Sequence, residues 1–204
     1  MAGVTVVQGF GPFGEFTSNP SELLVRGLAK RTEDPGLVTE ILPVETGATL
    51  AGVADLMREH RPAVWLGVGL AGGRTALAIE SVAVNLMHWK EIDGVSVSRR
   101  PIIEDGPAAY ATAMPVDEIV ATWQDRGIPG YLSQTAGSYM CNLSFYTAAR
   151  TAAELGLDCQ VGFLHVPLLP GQVTDPERQP SMAMALQEAG LDCVLAACRD
   201  AVAV

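Results

Sequence analysis

The strongest constraint on this chain is the regular alternation of short β-branched runs with segments that repeat apolar residues at helical spacing. Val4-Thr5-Val6-Val7-Gln8 is an apolar run ending in glycines, the pattern of a strand buried on both faces. Asn19-Pro20 then reads as the cap and first-turn proline of a helix carrying Leu23, Leu24 and Leu28 on one side. A second strand is predicted over 37–42, stopped by Pro43, and a helix over 46–60 with Leu50, Val53, Ala54 and Met57 at helical spacing. Residues 63–69 read as a third buried strand, and 75–86 as one long strand. Asp93-Gly94 is a turn signal between short strands at 89–92 and 95–97. A helix over 115–126, a strand over 130–134, a helix over 142–155 and a strand over 160–166 follow. A closing helix over roughly 181–199 is predicted to break at Gly190. Such alternation predicts the α/β class: a three-layer α/β/α sandwich with a mostly parallel, twisted central sheet. Ligands in such sheets sit beyond the carboxyl ends of strands, so the residues just after strands carry the functional question.

Composition narrows the answer. A length of 204 residues suits one domain, spanning 1–204, and 49% hydrophobic against 18% charged residues can build a sizeable core. A net charge of -10 argues against nucleic acid or an anionic membrane as partner. Residues 1–5 lack the cationic segment of a secretory leader, and the most apolar stretch, 63–71, is too short to cross a bilayer. Cys141, Cys159, Cys193 and Cys198 show no C-x-x-C spacing and do not read as a disulfide scaffold. The expectation is a soluble protein of the cytoplasm.

Two glycine clusters imitate nucleotide-binding turns. Gly9-Phe10-Gly11-Pro12-Phe13-Gly14 matches G-x-G-x-x-G after a strand, but the helix start at Asn19-Pro20 comes too late to hold a pyrophosphate. Gly67-Val68-Gly69-Leu70-Ala71-Gly72 matches too, yet leads into a strand pattern. No nucleotide cofactor is expected. Phe10 and Phe13 remain unusual in a glycine-rich loop: they either plug it locally or form a flat apolar slot for a small planar ligand.

Three residues carry candidate chemistry. Cys141 falls in the first turn of the 142–155 helix, where unpaired N–H groups and the macrodipole favour a thiolate; the alternative is a buried structural cysteine, which suits Cys159, Cys193 and Cys198. A nucleophilic cysteine needs a base, and His60 and His88 lie in a charged helix end and near a hairpin. His165 closes the next strand after the Cys141 helix, and parallel strands would bring the two to one sheet edge; otherwise it is a core histidine alternating with Phe163 and Val161. Glu80 shares a strand face with Ala78, Val82 and Val84, a costly setting for a lone carboxylate. Its partner is either a cation, Arg74 or Arg100, or the imidazole of His165.

Taken together these sites resemble the pyrrolidone carboxyl peptidases (pyroglutamyl peptidase type I) over nearly the whole chain. The blocks that carry the likeness are Gly9-Phe10-Gly11-Pro12-Phe13-Gly14 with Asn19-Pro20, Gly72-Gly73-Arg74 leading to Glu80 and Ala83-Val84-Asn85, and Glu104-Asp105-Gly106-Pro107-Ala108-Ala109-Tyr110. Thr135-Ala136-Gly137-Ser138-Tyr139-Met140-Cys141-Asn142 and Gly162-Phe163-Leu164-His165-Val166-Pro167 complete them in order. The resemblance implies a cysteine exopeptidase that hydrolyses the amide after an N-terminal pyroglutamyl residue through a Cys141–His165–Glu80 triad, with no metal or cofactor. It also implies aromatic walls at Phe10 and Phe13 around the lactam, and a homotetramer. Leu70 stands where many members have Gln, Gln134 where Asn is usual, and Lys90 where an Arg of the oxyanion region is common. Lys cannot reproduce the guanidinium fork, which leaves the Cys141 backbone N–H as the other oxyanion donor. Two other functions share the pattern: a nucleoside-phosphorylase-like enzyme, which requires a phosphate site, and a catalytically silent binder of pyroglutamyl peptides. A reactive, low-pKa Cys141 separates the peptidase from the binder.

Overall fold

Val6 and Val7 point to opposite faces of the first strand, β1 (Thr5–Phe10), and both are fully buried. A strand with two buried faces must lie inside a sheet covered on both sides. The computed structural model, which describes residues 3–14, 17–92, 95–175 and 177–202 (for 90–92, 95 and 202 the backbone alone), shows that arrangement. In chain order come α1 (Pro20–Arg31), β2 (Leu37–Leu42), α2 (Thr46–His60), β3 (Val64–Leu70), β4 (Leu77–Glu80) and β5 (Val82–Val84). Then follow β6 (Met87–Ile92), β7 (Val95–Arg100), β8 (Ala109–Ala111), α3 (Val116–Asp125), β9 (Gly130–Ser133), α4 (Met140–Glu154), β10 (Gln160–Val166) and α5 (Met184–Val202).

Six strands form the central sheet in the order β2-β1-β3-β10-β4-β9. The first four run parallel; β4 is antiparallel to β10, and β9 is parallel to β4. On one face Val7, Leu66, Val68, Leu164 and Val166 pack with α1, α3 and α5; on the other Val6, Trp65, Val161 and Phe163 pack with α2 and α4. The fold is the expected α/β/α sandwich.

Four local expectations differ from the structure. The single strand predicted over 75–86 is two: β4 enters the central sheet, whereas β5 pairs with β8 in a separate ribbon. Leu23 is exposed at 40%, because α1 turns Leu24, Val25 and Leu28 toward the core instead. α5 does not break at Gly190: a Cβ there would collide with Leu77, and the Gly190 carbonyl accepts from Trp123 Nε1 at 3.0 Å. The missing side chain serves close packing, not a turn. The strand preceding α4, β9, is neither adjacent nor parallel to β10, so the route that brings Cys141 to His165 is not the simple βαβ unit expected. The Asp93-Gly94 turn lies outside the described residues, although β6 and β7 pair antiparallel on either side of it. Among the described residues no helix is long and apolar enough to cross a membrane.

Candidate active site

Glu80 ends β4 and is wholly buried, so its charge requires compensation. Two donors meet on one oxygen: Glu80 Oε1 accepts from His165 Nδ1 and from Arg74 Nη1, each at 2.7 Å. The partners weighed as alternatives in the sequence are therefore both present. A carboxylate only accepts, so the Nδ1 of a neutral His165 carries the proton and Nε2 is left as the acceptor. The imidazole is 4% exposed and tilts against the Phe163 ring at 5.0 Å.

The electrostatics follow from burial and this shared oxygen. Burial would raise the Glu80 carboxyl, but the hydrogen bond and charge of His165, aided by Ser133 and Arg74, hold it below its ordinary value. For His165 burial wins: it drives the imidazole below its ordinary value, with Arg74 acting in the same direction and Glu80 opposing.

Cys141 is the second residue of α4, whose N-cap, Tyr139, provides no side-chain cap. Its sulfur lies over β3: a Cβ built on Gly69 would stand 2.7 Å from Sγ, and Gly69 faces His165 in the β3–β10 register. Burial pushes the thiol up to about 12; the Glu80 charge adds to this and Arg74 opposes it. Desolvation thus opposes the thiolate that the helix N-terminus favours. Asn142, buried beside it, accepts from Val84 N at 2.9 Å and donates to the carbonyls of Val84 and Leu86 at 2.8 and 3.0 Å. These bonds pin the start of α4 to the end of β5.

Cys141 opens on a small pocket whose walls include Phe10, Phe13, Val44, Leu70, Tyr139 and Met140, with Asn19 at its edge. Phe10 is 3% exposed and is held by Ser21, whose hydroxyl accepts from the Phe10 N–H at 3.1 Å. Asn19 caps α1 by accepting from Ser21 N at 3.0 Å and donates to the Gly11 carbonyl at 2.9 Å. The helix end that a nucleotide phosphate would use is occupied by the protein's own side chain. A larger concavity lined by Arg31, Asp34, Asp192 and Arg199 lies near Thr5 and Leu37, at the amino ends of β1 and β2. Its charges are paired internally (Arg31–Asp192 at 2.7 Å), and it lies at the wrong end of the sheet for this chemistry.

The family model for pyroglutamyl peptidase matches residues 4–201. The chain belongs to the pyroglutamyl peptidase family. It is 38% identical over 191 residues to pyrrolidone-carboxylate peptidase 1 of Ralstonia nicotianae, covering 91% of this chain and 88% of the relative. It is 35% identical to the pyrrolidone-carboxylate peptidase of Thermococcus kodakarensis, covering 93% of each. A solved structure of a mutant pyrrolidone carboxyl peptidase from Pyrococcus furiosus superposes with a TM-score of 0.90 at 29% identity, covering 97% of this chain and 99% of that one. None of these likenesses favours the phosphorylase or the silent binder.

Within this family member the motif blocks divide into site and support. Asn85 belongs to the support: its Oδ1 accepts from the N–H groups of Ile102 and Ile103 at 2.8 and 3.0 Å, and its Nδ2 donates to Ile103 O. That shapes the loop carrying Glu104 to Gly106, while the Tyr146 hydroxyl donates to Pro107 O at 2.8 Å. Leu70 lines the pocket, whereas Gln134 is exposed. Lys90 lies on β6, and its side chain is outside the described residues. Sequence reasoning missed Val44, Tyr139 and Met140 as pocket walls; adjacency to Pro43 and Cys141 was the available signal. His60 and His88 are not part of this cluster; His88 instead binds the loop before Cys141 through its backbone, its carbonyl accepting from Ser138 Oγ at 2.5 Å.

Proposed function

We propose that this chain is a cysteine exopeptidase that removes the N-terminal pyroglutamyl residue from peptides, with Cys141 as nucleophile, His165 as proton carrier and Glu80 as the group that orients it. The observation that carries the residue roles is the 2.7 Å bond between Glu80 and His165, beside a cysteine sulfur seated on the strand neighbour of that histidine. Nε2 takes the Sγ proton as sulfur attacks the carbonyl carbon that follows the lactam ring. The same proton passes to the departing amine as the C–N bond breaks, leaving a thioester. Water then gives a proton to Nε2, attacks the thioester, and releases pyroglutamate and the thiol.

A pyroglutamyl group is compact, planar and uncharged, so it needs apolar walls and a few backbone hydrogen bonds, which Phe10 and Phe13 with the surrounding loops can supply. The backbone N–H of Cys141 at the α4 N-terminus is the proposed oxyanion donor, and Lys90 on β6 the second. The whole chain, 1–204, acts as one catalytic domain. Free thiols at Cys141, Cys159, Cys193 and Cys198 support a cytoplasmic setting, and the family resemblance supports a homotetramer. Light scattering on the purified protein tests the latter. The deciding experiment is release of pyroglutamate from a fluorogenic amide by the wild type and by Cys141→Ser. Loss of essentially all turnover in the variant is expected; full turnover would remove Cys141 from its role.

A further inference from the structure

Three separate segments must converge for this chemistry: β4 with Glu80, β10 with His165, and the 134–139 loop that delivers Cys141. The sheet alone joins them thinly. β10 and β4 pair at Leu164↔Ile79 and His165↔Ala78, short of the Glu80 position, and β9 ends at Ser133, before the loop begins. Ser133, the register partner of Glu80, bridges weakly, acting on Glu80 and reaching the Thr135 backbone at 3.4 Å; a second side chain spans the gap with shorter bonds. Arg74, from the β3–β4 connection, donates Nη1 to Glu80 Oε1 at 2.7 Å and Nη2 to the Thr135 carbonyl at 3.1 Å. Its guanidinium lies over the Tyr131 ring of β9, 5.8 Å from the centroid, and its own N–H is anchored on Ala71 O at 3.0 Å. A planar fork can hold two acceptors on different segments at a fixed separation; an ammonium cannot.

We propose that Arg74 is a positioning residue of the reaction: by binding Glu80 and the Thr135 carbonyl together, it sets the imidazole of His165 and the loop leading to Cys141 in one frame. This rests on the peptidase reading above. The sharing of Oε1 has a second consequence. Glu80 gives part of its negative charge to Arg74, so less is available to stabilise a protonated His165. The charged groups that act on His165 are Glu80 on β4 and Arg74 on the β3–β4 connection; Phe163 beside it is neutral, and Cys141 on α4 sits over Gly69, the register partner of His165. Removing Arg74 leaves Glu80 and His165 as an undiluted pair, in which the imidazole takes a proton at higher pH.

The test is the pH dependence of kcat and KM on a fluorogenic pyroglutamyl amide for the wild type, Arg74→Ala, Arg74→Lys and, as an exposed-arginine control, Arg58→Ala. Arg74→Ala is expected to lose about 10- to 100-fold in kcat with little change in KM, and to move its acid limb to higher pH. Arg74→Lys keeps the charge and the wild-type acid limb but cannot span both acceptors, so its kcat also falls. Millimolar guanidinium restores part of the Arg74→Ala rate, and Arg58→Ala matches the wild type. A wild-type kcat in Arg74→Ala, or a loss with an unmoved acid limb, overturns the proposal. Should Arg74→Ala fail to fold, Arg74→Lys decides, and a wild-type kcat there overturns it. A wild type that releases no pyroglutamate overturns the functional reading and this proposal with it.

Discussion

The sulfur of Cys141 occupies the space that a side chain on Gly69 would take, 2.7 Å from where its Cβ would stand. Phe163 closes the same space, with its ring 2.9 Å from that point. The proposed nucleophile, seated against β3 and one strand from His165, therefore requires glycine at 69. Gly69→Ala is expected to push the thiol or the Phe163 ring out of place, lowering kcat at least about tenfold. Overpacking costs about 1–3 kcal/mol of stability. Turnover measured beside thermal denaturation checks both, and an active variant with an unchanged Tm would refute the seating.

Burial pushes the Cys141 thiol up to about 12 and the His165 imidazole below its ordinary value, which favours a neutral pair at rest. Thiolate forms as His165 takes the proton, and protonation of His165 stops this. The rate is therefore expected to fall on the acid side with a midpoint below 6.5, the unperturbed histidine value. Iodoacetamide labelling of Cys141 should be slow near neutral pH and rise about tenfold per pH unit above it. Slow labelling thus ceases to distinguish an enzyme from a silent binder, and turnover must do so. Thiolate absorbance at full strength near pH 7 would contradict the neutral pair.

Much of this arrangement was legible where one residue does one local task. Asn19-Pro20 starts α1, Pro43 follows β2, and Cys141 lies in the first turn of α4. What escaped depended on contacts between distant segments. Nothing in residues 75–86 marks Ser81 as the point where the chain leaves one sheet for another, because both halves are apolar and β-branched. β8 is three residues long with two of them exposed, too short for any periodicity. Gly190 looks like a helix break until Leu77 is known to fill the space beside it. Arg74 could be named as a partner of Glu80, but its second bond, to the Thr135 carbonyl, has no signature in side-chain types.

Glu80→Gln removes the charge that Arg74 and His165 share. Without it the imidazolium formed during turnover lacks its counter-charge, and kcat is expected to fall about 100- to 10,000-fold. Stability changes in a defined pH window. Glu80 has a folded pKa below its ordinary value of 4.5, so its contribution is fully present above that value and is lost as pH falls through the lower folded one. His165 is also depressed, so it adds a loss that begins below 6.5. The wild-type Tm should therefore decline first below about 6.5 and again below about 4.5, and Glu80→Gln should flatten the second decline. A second decline of undiminished size in the variant would assign it to other carboxylates.

Phe10 and Phe13 share the pocket wall but differ in burial, and substitution should separate them. Phe10 is 3% exposed and packs in the core with Val6 and Met57, so Phe10→Ala costs about 3–5 kcal/mol of stability as well as activity. Phe13 is half-buried in the loop and lines the pocket, where its ring is the proposed flat apolar face for the lactam. Losing that face removes part of the 1.5–3 kcal/mol typical of a buried aromatic, so KM for a pyroglutamyl amide should rise about tenfold. Such a wall binds ground and transition states alike, so kcat should change little. The ligand is neutral, and its binding should be insensitive to salt despite the net charge of -10. Steady-state kinetics at two ionic strengths test both statements. A Phe13→Ala enzyme with unchanged KM and a depressed kcat would move this ring from the binding wall to the reacting geometry.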